Sequence, residues 1–258
     1  MKNEFSRRKL LVYGKDIILA SALTYGIAGC SPAETRVKAD WDKELVGFDK
    51  LGSARIKNLS GQATINKQKA QPGMVVKSGD MVEVAGRSVV LLAMADNSLI
   101  KVKGRASLTM TLDSAGGGLF QLQRGSLLSA ISRRKKRPYI YKSATAMVGV
   151  RGTVLFNHVF DNEAPMDSRT PDSATDYVCI CNGQIDYIDP KETRLVSSDR
   201  GIHHSARFVG SANGQMKFQK AGFLLNHSDQ EIYDLIEQME GDKLNTGWLM
   251  LDKTSDAY

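Results

Sequence analysis

The chain has 258 residues, 42% of them hydrophobic and 7% aromatic, with a formal net charge of +7. That composition is globular and excludes an intrinsically disordered chain. The charge is concentrated at the start: residues 1–29 hold five basic and two acidic residues, so the other 229 carry only +4, too modest a surplus to indicate a polyanionic partner.

Those first residues read as an export signal rather than part of a fold. Arg7, Arg8, Lys9 and Lys15 form a basic segment, and a short apolar stretch runs from Ile17 to Ile27. About a dozen residues are too few to span a hydrocarbon core, which takes about 20. The stretch ends in Ile27-Ala28-Gly29-Cys30, which resembles a lipobox. The resemblance implies that residues 1–29 are removed and that Cys30 carries a lipid anchor. Ser6-Arg7-Arg8-Lys9-Leu10-Leu11 is also similar to a twin-arginine signal, which exports proteins already folded; general secretion is the alternative. Ser31 after the cysteine implies, by analogy with lipoprotein sorting, the outer membrane rather than the inner, facing the periplasm. Export argues against a nucleic-acid partner.

Residues 30–52 are polar and charged, with Trp41 and Phe48 as large apolar groups. They read as a tether, with a short helix from Asp40 to Lys50. Residues 53–190 are a series of short strands at intervals of roughly ten residues, a pattern of all-β sandwiches and rolls rather than βαβ units. The expected strands are Arg55–Asn58, Gln62–Asn66, Met81–Ala85, Ser88–Ala93, Ser98–Lys103, Leu108–Leu112, Gly118–Arg124, Ser126–Ile131, Tyr139–Lys142, Met147–Phe160, Thr175–Cys181 and Gln184–Ile188. Asn182-Gly183, between the last two, is read as a type I′ hairpin turn, which needs positive φ at both central positions. In Met147–Phe160 the β-branched residues fit a strand, and Gly149 and Gly152 mark a bulge or a close backbone approach.

Arg133, Arg134, Lys135, Lys136 and Arg137 put five cations between Ile131 and Pro138. Such a run stays in solvent. It serves either as a hairpin tip that discourages edge pairing or as a contact for an anionic lipid or polymer surface.

Residues 191–258 form a C-terminal extension. Cys179 and Cys181, just ahead of it, lie two apart in a strand and so project from one face, roughly 6.5 Å apart. Adjacent His203 and His204 point to opposite faces, so one of them would join the sulfurs, with His227 as a fourth member. Two sulfurs and two imidazoles suit zinc or copper(I), and a haem-type site is a further option. The competing readings are a Cys179–Cys181 disulfide closing a strained small ring, a redox-active pair, or no special chemistry. Ser228 and Glu231 form a capping box that opens a helix over about 228–240. Ile232, Leu235, Ile236 and Met239 make its apolar face, and Gly241 stops it.

Val150-Arg151-Gly152-Thr153 before an apolar strand resembles the signature of the FecR domain. Gly61-Gln-Ala, Val76-Lys-Ser-Gly79-Asp80, Val89 to Leu92, Asp96-Asn97-Ser98 with Ile100-Lys-Val102, and Phe120 to Leu128 are similar to its other elements, in order, over roughly residues 52–190. Regulators of that family have a cytoplasmic anti-sigma segment, one transmembrane helix and a periplasmic domain. This sequence departs from that layout, which argues against direct sigma-factor control, and the family supplies no catalytic residues. The expectation is an all-β antiparallel sandwich or roll, followed by a small C-terminal segment with one helix. It would be a non-enzymatic, lipid-anchored protein binding a protein or envelope polymer, with a metal or haem protein as the alternative.

Overall fold

The computed structural model describes residues 41–132, 137–150, 152–161 and 170–239. The leader, Cys30, Arg133 to Lys136, Arg151, Gly241 and the tail from Asp242 lie outside the described residues. Helix α1 (Trp41–Val46) comes first, then strands β1 (Ser53–Ser60), β2 (Ala63–Ile65), β3 (Gln68–Lys69), β4 (Val75–Lys77), β5 (Met81–Val84), β6 (Val89–Met94), β7 (Leu99–Leu112) and β8 (Gly118–Ala130). After them come β9 (Tyr139–Lys142), β10 (Met147–Val150), β11 (Val154–Val159), β12 (Ala174–Ile188), β13 (Leu195–Gly201), β14 (Ser205–Ala212), β15 (Gln215–Lys220) and helix α2 (Asp229–Glu237). The all-β expectation holds. Among the described residues no helix is long and apolar enough to cross a membrane.

All strands pair in one hydrogen-bonded network, whose main path is β15-β14-β12-β10-β9-β8-β7-β5-β2-β3. Pairing is antiparallel except between β8 and β9, where Gly118 to Gln121 run alongside Tyr139 to Lys142. β11 lies between β8 and β12, and β13 pairs with β12.

The period of two explains how the core divides. On β11, Leu155 faces one apolar cluster and Phe156 another; on β12, Val178 and Ile180 face the first, and Tyr177, Cys179 and Cys181 the second. β7, β8 and β14 do the same with Ile100 and Leu99, Leu127 and Leu128, Val209 and Phe208. Strands buried on both faces read as continuous apolar runs, which is why no alternation marks Val178 to Cys181. Helix α2 covers the second cluster with Ile232, Leu235 and Ile236.

Several strands differ from the expected ones. Ser98–Lys103 and Leu108–Leu112 are parts of one β7, with register shifts around Lys103 to Leu108, and Gly118–Arg124 and Ser126–Ile131 are parts of one β8. Thr175–Cys181 and Gln184–Ile188 join in β12, so there is no hairpin at Asn182-Gly183. Gly183 has φ +115°, but Asn182 does not have a positive φ. At this glycine β12 leaves β11 and β14 for β10 and β13. A Cβ on Gly183 would sit 2.6 Å from Thr153 Oγ1, and Thr153 donates to the Gln184 carbonyl at 3.1 Å. The glycine is there for close approach.

The long strand expected over Met147–Phe160 divides at Gly152, φ +61°, into β10 and β11, which pair with successive halves of β12. The I′-like hairpin lies elsewhere. Asn213 and Gly214 have φ +53° and +74°, and Ala212 pairs with Gln215 across them. Within the residues read as a tether, α1 packs on the body. Trp41 is buried, and its ring lies so close to Gly149 that a Cβ there would come within 2.0 Å.

Candidate metal centre

β12 brings Cys179 and Cys181 onto the face covered by α2, their sulfurs 4.0 Å apart and both unbonded. The tight turn between β13 and β14 carries His203 and His204. His204 takes φ +46°, and this left-handed step turns it toward β12. His227 arrives from the segment before α2, which the Tyr177 hydroxyl fastens by donating to the Phe223 carbonyl (3.0 Å) and accepting from the Leu225 amide (3.3 Å).

One ligand atom from each of Cys179, Cys181, His204 and His227 lies within 4.8 Å of the others. Cys179 Sγ is 3.4 Å from His204 Nδ1. His227 Nδ1 donates to the Leu225 carbonyl at 2.8 Å and its ring stacks on Phe156 at 4.3 Å. Its Nε2 is buried and has no hydrogen-bond partner among the described residues. His204 Nε2 is 2.6 Å from Asp229 Oδ1. His203 also binds Asp229, at 3.1 Å, and stands outside the four-donor group. Of the two adjacent histidines, His204 is the one that meets the sulfurs.

Electrostatics separates the two thiols. Burial pushes Cys179 up, but the neighbouring Cys181, His204 and His227 outweigh it and hold it well below the usual thiol range. Burial, reinforced by the neighbouring Cys179, pushes Cys181 well up. Burial lowers His204, yet Cys179 and Asp229 raise it further, so its net direction is upward. Asp229 is raised by burial, but the two histidines hold it below the ordinary carboxylate value.

The geometry places a base, His204 with Asp229 behind it, beside the Cys179 sulfur. Cys179 is nevertheless buried in one cluster with Tyr177, Phe208 and α2, with a second sulfur beside it, so its sulfur does not face solvent. Nor do donors converging on one point leave space for a macrocycle between them. A single ion suits the arrangement. A cavity of about 300 Å³, lined by His203, His204, Ala206, Lys220 and Phe223, opens beside His204.

Asp229 is not among the candidates that the sequence suggests. Ser228 does cap α2, its side chain accepting from the Glu231 amide. The Glu231 carboxylate, instead of closing the box, pairs with Lys103 at 2.7 Å and Lys101 at 3.2 Å. Of the basic run, Arg137 is described: its guanidinium lies over Phe48 (5.2 Å) beside Asp113 (3.5 Å) and Glu44 (3.6 Å).

The family whose model matches the chain is described as FecR protein, and the match covers residues 80–169, inside the span over which the sequence resembles it. Over that stretch the chain is similar to the FecR family. Two crystal structures of a protein described as an anti-sigma factor, from Parabacteroides distasonis ATCC 8503, are similar to it at 15% identity and a TM-score of 0.40. The likeness covers 54% of this chain and 59% of that one. No curated protein matches. All four donors lie beyond residue 169 and so outside the family match.

Proposed function

We propose that the chain holds a FecR-like domain with a non-enzymatic binding role in envelope signalling or assembly, on the periplasmic side of a membrane. The lipid on Cys30 is the tether, and the outer membrane is its location. The FecR-like domain holds a partner protein or an envelope polymer, and Arg133, Arg134, Lys135 and Lys136 supply the contact to an anionic surface. Arg137 is engaged by Glu44, Asp113 and Phe48, which leaves it a lesser share of that contact.

The observation that carries this reading is the FecR match over residues 80–169. The buried, closed position of Cys179 supports binding over catalysis. The test is mass spectrometry of the mature amino terminus, with membrane fractionation of wild type beside Cys30→Ser. An acylated Cys30 and loss of membrane association in the variant are expected. An unmodified amino terminus, or a variant that fractionates like wild type, would overturn the tethered reading. A partner cross-linked equally to wild type and to a chain lacking β5–β11 would overturn the domain's role.

A further inference from the structure

We propose that Cys179, Cys181, His204 and His227 bind one soft, four-coordinate metal ion, zinc(II) or copper(I), which clasps the β13–β14 turn and the start of α2 to β12. The inference stands apart from the envelope-signalling reading, because these residues lie outside the FecR match.

Convergence is the first argument. Four donors from three separate segments place ligand atoms within 4.8 Å of one another. A tetrahedron with metal–sulfur bonds of about 2.3 Å and metal–nitrogen bonds of about 2.0 Å has edges of roughly 3.3–3.8 Å. The sulfur–sulfur and sulfur–nitrogen separations of 4.0 Å and 3.4 Å require only slight closure.

The second argument is the outer contacts. A ligating histidine characteristically donates its other ring N–H to a carbonyl or carboxylate, which fixes its tautomer and orientation. His227 does this through Nδ1 to Leu225, and His204 through Nε2 to Asp229. Each ring is thereby oriented, His204 with Nδ1 turned to the Cys179 sulfur and His227 with Nε2 unpartnered among the described residues.

The third is what the protein leaves unsatisfied. His227 Nε2 is buried with no hydrogen-bond partner among the described residues, and the Cys181 thiol is held by weak contacts: the Cys179 carbonyl at 3.7 Å, the other sulfur at 4.0 Å and the Phe156 backbone. An ion would engage both atoms at once. Sulfur with imidazole selects soft or borderline ions over calcium and magnesium, which take oxygen. Two thiolates neutralise zinc(II) and leave copper(I) one negative charge in excess, so burial favours zinc. Binding releases two protons to solvent, one from Cys181 and one from the Cys179–His204 pair. The cavity beside His204 is the path of entry.

Metal content of the full chain purified from its own compartment tests the proposal. About one zinc or copper per chain is expected, falling at least tenfold in Cys179→Ser/Cys181→Ser. Since that variant can fail to fold, cobalt(II) titration of the intact wild type is the second arm. It should give thiolate-to-cobalt charge-transfer bands and the intense visible bands of tetrahedral cobalt, saturating at one equivalent. His203→Ala should keep that stoichiometry. Folded wild type with two free thiols and no cobalt bands would overturn the site, as would a Cys179–Cys181 disulfide or metal retained without the cysteines. Amide exchange in α2 should slow at least tenfold on metal uptake; unchanged exchange would overturn the clasp.

Discussion

The two faces of the shared strands teach different things. The first, toward Val82, Ile100, Leu108, Phe120 and Val148, is built mainly of apolar side chains packed on one another. The second, formed by alternate residues of several of the same strands, holds Cys179, Cys181 and Tyr177, with His227 beside them and the lysine–glutamate cluster at its border. A strand carries side chains to both faces from one backbone, so the packed face serves as the rigid mount on which the second is positioned. Changes on the first face should therefore alter stability without altering chemistry, and changes on the second should do both.

Leu108→Ala is the sharpest test of the packing face. Leu108 is fully buried, and truncation should cost about 3 kcal/mol in a denaturant melt. The folded fraction should still take up one equivalent of cobalt. A variant that folds but binds none would show that the faces are not separable.

His158, on β11 near the second face, should make stability depend on pH. Burial first, then the nearby Lys103, lowers its imidazole to about 4, against about 6.5 in the unfolded chain. Between those values the unfolded chain holds the extra proton. Stability is therefore complete above pH 6.5 and declines as pH falls toward 4, by roughly 3 kcal/mol. Comparing wild type with His158→Gln across this window isolates the effect; parallel curves would contradict it.

Gly183→Ala should cost about 2 kcal/mol, because the new Cβ meets Thr153 and φ is +115°. Gly214→Ala, at φ +74° in open space, should cost about half as much. Equal losses in thermal melts would mean that the close approach to Thr153 has no weight. An effect the size of that at Gly214 is expected for Glu231→Gln, which removes the partner of Lys101 and Lys103. After discounting for partial solvent exposure, about 1 kcal/mol should be lost. Burial raises Glu231, but the lysines hold it below its ordinary value, so this contribution is present at neutral pH and fades as the carboxylate protonates in acid.

The same glycine pair shows how far the sequence could be read. Asn182-Gly183 and Asn213-Gly214 are the same dipeptide between β-forming residues, yet only the second makes a hairpin. Local turn chemistry is shared; the difference is that β12 has partners on both sides of Gly183, and long-range pairing outweighs the turn. The all-β class, the α2 cap at Ser228 and the common face of Cys179 and Cys181 were legible because each rests on a short-range rule. The choice of His204 over His203 was not, since it depends on a left-handed residue in a turn. β13 to β15 were missed although Met216 and Phe218 alternate with Gln215, Lys217 and Gln219, the ordinary mark of a half-buried strand. Asp229, one residue after the cap, carried no signal of its own, and Glu231 abandoned its local role for two lysines on β7.

X-ray absorption on the intact chain loaded with one equivalent of zinc tests the second face most directly. The account predicts two sulfurs at about 2.3 Å and two nitrogens at about 2.0 Å around each ion. A first shell of oxygen and nitrogen alone would contradict it.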